Sequence, residues 1–501
     1  MTRIGWMVAA LLLGTHAAHA FCGFYVSGSG EKMVNDATQV VLMRDGTRTV
    51  LSMQNDYKGP LEDFAMVIPV PVVLKEQHVK TLPKEVFQHV ESLGSPRLVE
   101  YWEQDPCAIQ PPADVSVAAP GMERQKLAEG RMEPAKDGVK IEAKFEVAEY
   151  KILILSATDS TGLERWLASN RYKIPAGAEP LLRPYVEGGS KFFVAKVDPK
   201  KVKLEGGRAA LSPLRFHYDS DELALPIRLG MANSSGKQDL IVNIVSVDKR
   251  YEAANYKNVF IPTNFDVKAV VKTRFAEFYA ALFDKTLEAN PGAVVTEYAW
   301  TAVQNYHCDP CTDGDVTYND LVTLGADVIG GRMSAGNFVL TRLHARYGKS
   351  DMKDDLRFRE AKPVTGGREV WTEQGLEMDA VPATENYFQA RYAIRHRWTG
   401  PVKCAKPHRG IWGGPPSGTY QQPIAAKRTA FAPRGKLQLA EVIKRDLWEI
   451  GYKKAPAKTG GGGGGGFAKP PGGAQMMSFG IGLFGGLCLI AIAWLIRRRT
   501  K

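Results

Sequence analysis

Residues 476–496 read MMSFGIGLFGGLCLIAIAWLI, and the segment Arg497-Arg498-Arg499-Thr500-Lys501 follows directly. No side chain of the first stretch is charged. At 1.5 Å of rise per residue, a helix of this length covers about 30 Å, the thickness of the hydrocarbon core of a bilayer. A cluster of arginine and lysine side chains favours the cytoplasmic side of a membrane. The sequence therefore predicts one C-terminal transmembrane helix at 476–496, a basic cytoplasmic tail at 497–501, and an ectodomain outside the cytoplasm.

The two segments that flank this ectodomain agree with that topology. Arg3 makes the N-terminus positive, residues 4–13 are apolar, and Ala18-His19-Ala20 has the small residues of a cleavage site, which predicts a signal peptide over 1–20. Residues 453–475 hold seven consecutive glycines at 460–466 and three prolines, two of them adjacent at 470–471. This stretch is expected to be a Gly/Pro-rich tether with an r.m.s. reach of roughly 25 Å.

Composition limits the possible partners. The chain of 501 residues has a net charge of +11, but five of these charges lie on Arg3 and in the C-terminal cluster, which leaves about +6 for the ectodomain. Nucleic-acid binding usually needs a concentrated basic surface, so no nucleic-acid partner is predicted. The apolar fraction of 44% is ordinary for a folded globular protein.

The order of strand and helix patterns predicts an α+β fold of mostly antiparallel β-sheets with packed helices, in two or three closely packed units. We assign an N-terminal β-rich unit to 21–109, a flexible excursion rich in proline and charge to 110–138, a middle α+β unit to 139–265 and a C-terminal α+β unit to 266–452. Asp45-Gly46 predicts a hairpin turn, and residues 268–289 have the apolar spacing of a helix. Thr161 and Glu164 have the spacing of a capping box for a short helix.

Three stretches together carry a resemblance to a known family. They are Phe21-Cys22-Gly23-Phe24-Tyr25, residues 162–197 with the pattern Trp-Leu-x-x-Asn-x-Tyr-x-Ile-Pro, and Cys308-Asp309-Pro310-Cys311 with the following strand at 338–347. Over residues 21 to about 406 the chain resembles the bacterial family labelled domain of unknown function 2330. The resemblance implies a signal peptide and a C-terminal anchor, and it implies no activity.

The C-terminal tail has a resemblance of its own. Gly472-Gly473, an apolar helix and an arginine cluster are similar to Gly-Gly type sorting tails of bacteria. That resemblance implies cleavage by an intramembrane protease and transfer of the protein to the cell surface.

Five cysteines precede the membrane segment, and three kinds of chemistry are open to them. An exported compartment favours disulfides, which we expect between Cys404 and either Cys308 or Cys311, and between Cys22 and Cys107. Zinc is an alternative, since Cys308, Cys311 and Cys404 with His408 make a Cys₃His set. A reversible dithiol at Cys308 and Cys311 is the third.

Two charged clusters are further candidates for binding. Arg391, Arg395 and Arg397 alternate on a predicted strand at 386–398 and could bind an anion, such as a phosphate or a polyanionic envelope polymer; the alternative is a solvated strand face. Asp309, Asp313, Asp315 and Asp320 crowd one loop, as calcium ligands do, although the spacing of an EF-hand is absent.

These observations lead to two functional hypotheses. The first is a noncatalytic, membrane-anchored protein of the bacterial cell envelope, in the periplasm or at the cell surface, that binds an envelope polymer or a protein. The second is an envelope enzyme, thiol-redox protein or metal-binding protein that uses Cys308 and Cys311. No catalytic residues are assigned and no cofactor is expected, because the chain has no Gly-x-Ser-x-Gly or His-Glu-x-x-His motif.

Overall fold

The computed structural model describes residues 24–453, apart from 28–33, 59–63, 109–138, 175–176, 206–207, 234–235, 304–307, 312–315, 331–332, 334–336, 349–350, 373–374, 419–421, 428 and 430–431. The signal peptide, the excursion at 110–138, the tether from residue 454 onward, the transmembrane helix and the basic tail were predicted for residues outside this set. Within the described part of the chain, no helix is long and apolar enough to cross a membrane.

Strands make up most of the regular structure. The strands are β1 Phe24–Ser27, β2 Val34–Asp45, β3 Arg48–Lys58, β4 Phe64–Val70, β5 Val79–Thr81, β6 Arg97–Glu103, β7 Val139–Val147, β8 Tyr150–Ala157, β9 Lys191–Val197, β10 Lys203–Glu205, β11 Arg208–Ala210, β12 Leu214–Asp219, β13 Leu223–Leu225, β14 Gln238–Ser246, β15 Arg250–Ala253, β16 Asn258–Phe260, β17 Phe265–Asp266, β18 Val294–Val303, β19 Asn337–Tyr347, β20 Leu356–Ala361, β21 Val364–Gly366, β22 Trp371–Thr372, β23 Gly375–Leu376, β24 Val381–Pro382, β25 Tyr387–Gln389, β26 Arg391–His396, β27 Trp412–Gly413 and β28 Ile424–Ala425.

Helices are fewer and mostly short. The α-helices are α1 Glu85–Gly94, α2 Ser160–Ser169, α3 Glu179–Glu187, α4 Phe275–Ala289, α5 Tyr318–Leu321, α6 Asp327–Ile329 and α7 Leu439–Val442. Short 3₁₀ turns lie at Glu76–His78, Arg228–Asn233, Ala269–Thr273 and Trp448–Ile450, and a π-helical turn covers Val322–Ala326.

The largest sheet contains eleven strands in the order β24-β21-β25-β18-β19-β14-β2-β3-β12-β5, with β16 beside β18. Its pairs are antiparallel except β14 with β2, β16 with β18 and β21 with β25. The sheet takes strands from all three stretches that were predicted as separate units. Long-range strand pairing thus ties these stretches together, and the described residues up to 453 belong to one compact unit.

Two five-stranded sheets complete the main framework. One is fully antiparallel, with the order β1-β4-β9-β8-β7. In the other, β17 is parallel to β26 and β26 is parallel to β6. The strands β27 and β28 both pair antiparallel with the opposite edge of β6. A three-stranded sheet, β13-β20-β15, and the hairpins β10-β11 and β22-β23 are smaller additions. The predicted α+β class with largely antiparallel sheets is confirmed.

Apolar side chains separate the layers. One core lies between the eleven-stranded sheet and the antiparallel five-stranded sheet, and the outer face of the latter is covered by α2 and α3. The opposite face of the eleven-stranded sheet is covered by α1 and, farther along, by α4, which also packs on β6 and β26. The mixed sheet that contains β6 is thus held against the main sheet by α4.

Several local predictions can be compared with this framework. The Asp45-Gly46 turn joins β2 to β3, with Gly46 at φ +56°, as predicted. The helix predicted at 268–289 is a 3₁₀ turn followed by α4. The cap of α2 was predicted wrongly: Asp159, not Thr161, accepts a hydrogen bond from the backbone N–H of Gly162. Asp159 directly precedes Ser160, the first residue of the helix. A carboxylate at this position accepts the capping hydrogen bond, and its negative charge is also attracted to the positive end of the helix dipole.

Candidate functional site: a cleft beside the Cys308–Cys311 loop

A cleft of about 370 Å³ opens where three distant segments of the chain meet. One wall is the middle of β6, a second is the loop that contains Cys308 and Cys311, and the third is the connection between β27 and β28. The lining residues are Val99, Glu100, Tyr101, Asp309, Pro310, Gly413, Gly414, Pro415, Gly418 and Pro423. The volume is within the range of small-molecule and peptide pockets, so this cleft is the candidate functional site.

The wall made by β6 is an interrupted sheet edge. On one side β26 pairs with β6 from Arg97 to Trp102. On the other side β28 pairs only with Arg97 and Leu98, and β27 only with Trp102 and Glu103. Between them, residues 99–101 have no strand partner on this edge within the described chain. The cleft lies in that interruption.

The direction of the backbone groups on β6 can be read from its neighbours. Arg97 donates its N–H to Ala390 on the β26 side at 2.9 Å, whereas Gln104 donates to Ile411 on the opposite side at 2.8 Å. Consecutive residues of a strand direct their backbone groups to opposite edges. Since Gln104 is four residues after Glu100, the N–H and C=O of Glu100 point to the interrupted edge. The cleft therefore offers one backbone donor and one backbone acceptor.

Buried polar side chains hold the second wall in place. Gln389 accepts from the N–H of Asp309 at 3.1 Å and donates to its carbonyl oxygen, and Arg97 donates to the carbonyl oxygen of Pro310 at 2.9 Å. The backbone N–H of Glu369 donates to the Asp309 carboxylate at 3.1 Å. Gln389 and Arg97 are fully buried. The loop is consequently fixed by groups that do not depend on its disulfide.

Arg97 is an unusual buried cation. Besides Pro310 it donates to the carbonyl oxygen of Leu93 at 2.6 Å, and its Nε has no hydrogen-bond partner among the described residues. Burial lowers the pKa of Arg97 to about 10, although the charge of Asp309 acts in the opposite direction. The buried guanidinium thus places a positive charge beside the loop.

The predicted anion site is already filled by carboxylates of the same chain. Arg391 binds Glu369 and the hydroxyl of Tyr101, and Arg395 binds Asp266 at 3.0 Å and Glu369 at 3.3 Å. Both guanidinium groups lie over the ring of Tyr101, at 5.3 and 5.1 Å from its centroid. Burial would raise the pKa of Glu369, but the two arginine charges outweigh it and hold that pKa below its ordinary value.

This network has a consequence for the cleft. Arg391 is fully buried and the Arg395 side chain is 8% exposed, so neither offers its charge to a ligand, and Arg397 is exposed outside the network. Their effect is to fix Tyr101, which lines the cleft, in a single position.

The cysteine pairing differs from the prediction. Cys404 bonds to Cys107, with 5.5 Å between Cα atoms, and Cys308 bonds to Cys311, with 4.9 Å. The predicted bridges from Cys404 to Cys308 or Cys311, and from Cys22 to Cys107, are wrong, because the strand beside β26 is β6 and not β18. Parallel neighbours end at one edge, which brings the residues after β6 and β26 together. Cys22 lies outside the described residues.

The described residues that were predicted to bind zinc or calcium have other roles in the structure. All three sulfurs of the predicted zinc set are in disulfides, and His408 is exposed, with its backbone N–H donating to Pro106 at 2.8 Å. Asp320 caps α5 through Thr317, and Asp313 and Asp315 are not among the described residues. Within the described chain, no group of three His, Cys, Asp or Glu side chains is placed to hold a metal ion.

Sequence reasoning missed a buried ion network under α4. Glu297 binds Arg342 at 2.7 Å and His344 at 2.6 Å, and His344 binds Asp239 at 3.1 Å. Burial would raise the pKa of Glu297, but the charges of His344 and Arg342 lower it to about 2. Burial would lower the pKa of His344, but the two carboxylates raise it. Glu297, Arg342, His344 and Asp239 are buried, but Asp239 also binds Arg346 and Arg434, whose side chains are 13% and 23% exposed, so this network reaches the surface at one end.

The signal for this network was present in the sequence. Arg342, His344 and Arg346 stand at every second position of β19, and the residues between them, Leu343 and Ala345, belong to the core on the other face. Charged residues at period two on a central strand indicate either a solvated face or buried partners. The strand was predicted, but the partners on β14 and β18 were not.

Comparison with known proteins gives a family and no function. The family model DUF2330, described as an uncharacterized protein conserved in bacteria, matches residues 16–359. The chain belongs to this family. No curated protein and no solved structure matches. In this DUF2330 protein, β6 and the Cys308–Cys311 loop lie inside the matched residues, whereas Gln389, Arg391 and the β27–β28 wall of the cleft lie beyond them.

Proposed function

We propose that the protein is a noncatalytic, membrane-anchored binding protein of the bacterial cell envelope, and that its cleft binds an extended peptide. The bacterial family supports the class of organism, and the predicted signal peptide and transmembrane helix support the location. The observation that carries the peptide ligand is the interruption of the β6 edge at Glu100.

An extended peptide fits both the free backbone groups and the apolar surface that the β6 wall of the cleft offers. Its backbone can donate to the carbonyl oxygen of Glu100 and accept from its N–H, as an added strand does at an open sheet edge. The ring of Tyr101 and the surrounding prolines provide apolar surface for a side chain of the ligand. Lys272 and His396 bind the carboxylate of Glu100, the latter at 2.9 Å, so the charge of that carboxylate is already paired.

The test uses the full-length protein and a pool of random linear heptapeptides. We expect a subset to bind, and we expect methylation of alternate backbone nitrogens of those peptides to abolish binding, because it removes the donors that an added strand needs. Binding that survives methylation at every position would contradict strand addition.

Two variants in one loop locate the site. An added Cβ at Gly414 meets no atom within 4 Å, and its backbone is not left-handed, so Gly414→Phe should fill the cleft without strain. Ser417→Phe is the matched control, since Ser417 is exposed in the same loop and does not line the cleft. Peptide binding should be lost in the first variant and kept in the second; equal binding by both variants would place the ligand elsewhere.

A further inference from the structure

Two disulfides of very different span lie in this ectodomain. Cys107–Cys404 joins residues 297 apart, whereas Cys308–Cys311 joins residues only 3 apart. A short loop loses little chain entropy when it is closed, so the second bond contributes little to stability. The loop around it is held independently by Gln389, Arg97 and the backbone of Glu369. Opening Cys308–Cys311 therefore leaves the surrounding structure in place.

The two sulfurs of the short bridge have different surroundings. Cys308 is 6% exposed and belongs to the apolar core beside α1, whereas Cys311 is only partly buried at the edge of that core. Between them, Asp309 and Pro310 line the cleft. Cys311 is therefore the more accessible of the two half-cystines, and it directly follows the cleft residue Pro310.

A positive charge lies beside this loop. Arg97 donates to the carbonyl oxygen of Pro310, the residue between the two half-cystines that adjoins Cys311, and the hydrogen bonds of its guanidinium go to backbone carbonyls and not to a carboxylate. A nearby cation favours the thiolate over the thiol, and this makes a sulfur a better leaving group in exchange. The Asp309 carboxylate is the anion of this loop that already acts on Arg97, and a thiolate formed on reduction would be a second one.

We propose that Cys308–Cys311 is an exchangeable disulfide that oxidises the two thiols of a peptide docked in the cleft. The peptide site is that of the proposed function. In the first step a thiolate of the peptide attacks Sγ of Cys311; a mixed disulfide forms, the Cys308–Cys311 bond breaks, and its electron pair remains on Cys308. In the second step the other thiolate of the peptide attacks the peptide's own sulfur in the mixed disulfide and releases Cys311.

The reaction is balanced as a single turnover. The peptide loses two electrons and two protons and gains an internal disulfide, and Cys308 and Cys311 gain those electrons and protons as two thiols. The electron donor is a dithiol peptide. Cys107–Cys404 does not take part.

Single-cysteine variants of the full-length protein test the order of attack. Cys308→Ser leaves the Cys311 thiol and Cys311→Ser leaves the Cys308 thiol, so each is the matched control of the other. The probe is a peptide whose cysteine carries an activated disulfide, and the product is read by mass on the proteolytic fragment that contains residues 308–311. We expect the Cys311 thiol to form the mixed disulfide about tenfold faster than the Cys308 thiol, because access and thiolate fraction set the rate. Equal rates would overturn the proposal.

The unmodified chain tests exchange itself. Dithiothreitol and a peptide with two cysteines should each reduce Cys308–Cys311 in the folded protein while Cys107–Cys404 stays oxidised. Reduction of Cys308–Cys311 only at urea concentrations that unfold the chain would overturn the proposal.

The Gly414→Phe variant distinguishes a failure of the proposed peptide site from a failure of the proposed redox activity. It should slow exchange with the dithiol peptide more than exchange with the smaller dithiothreitol, whereas the control Ser417→Phe should slow neither. If Gly414→Phe slows neither, the docking step and the proposed peptide site fail together, and if the native disulfide resists both reagents, the redox activity fails while peptide binding can still be measured.

Discussion

The bridge between Cys107 and Cys404 is the covalent link that we expect to matter most for stability. It closes a loop of 297 residues between the ends of the parallel neighbours β6 and β26. In the chain-entropy model, a loop of that length restricts the unfolded chain by about 5–6 kcal/mol at 25 °C. The same model gives about 2 kcal/mol for the Cys308–Cys311 bridge, whose residues are 3 apart.

Two double replacements measure this difference within one chain. Cys107→Ser with Cys404→Ser should lower the free energy of unfolding by about 5 kcal/mol, and Cys308→Ser with Cys311→Ser by about 2 kcal/mol or less. Each pair replaces two sulfurs by hydroxyls, so the chemistry of the substitution is matched. The assay is urea unfolding of the full-length protein, followed by tryptophan fluorescence at one pH and one detergent concentration. Equal losses from the two pairs would refute the loop-length argument.

Four further predictions follow from features described above. Glu297→Gln should cost about 3–5 kcal/mol in urea unfolding because it leaves buried cations unpaired, whereas Glu288→Gln on the exposed face of α4 should change stability by less than about 0.5 kcal/mol. The free energy of unfolding should fall as pH drops from 4.5 toward 2, because the unfolded chain then takes up a proton that folded Glu297 does not, and it should fall as pH rises from 6.5 toward the raised pKa of His344, because the unfolded chain then releases a proton that folded His344 keeps; a flat pH profile would contradict this assignment. Gly325→Ala should lower the thermal midpoint, because Gly325 has φ +144° and an added Cβ would lie 2.7 Å from a side-chain carbon of β3; an unchanged midpoint would show that the turn can shift. A reporter that works only outside the cytoplasm should be active when it is fused after Ile450, and an inactive one would reverse the predicted topology.

The sequence predicted features that depend on neighbouring residues. The hairpin at Asp45-Gly46 and the helix α4 follow from turn chemistry and from apolar spacing. The alternation of Arg391 and Arg395 along one strand face was also visible. All of these are set within about twenty residues of chain, where local preferences are strong.

Local sequence patterns do not predict features that depend on the order of strands in a sheet. The partner of Cys404 is decided by the adjacency of β6 and β26, and no local pattern reveals which strand lies beside β26. The charges of Arg391 and Arg395 are satisfied by Glu369 and Asp266, which are near them only after folding. The largest sheet also collects strands from all three predicted units, and no local pattern indicates this. The three walls of the cleft also come together only because of this strand order.

The pairing of β6 with β26 also determines when the protein can finish folding. A strand from the first quarter of the chain must wait for one that is synthesised almost three hundred residues later. Contacts of such long sequence separation slow folding, because the intervening chain must be ordered before they form. Until then β6 presents two unpaired edges to its surroundings, which exposes the chain to wrong partners during synthesis. We expect the nascent chain to depend on chaperones while its last third is still emerging.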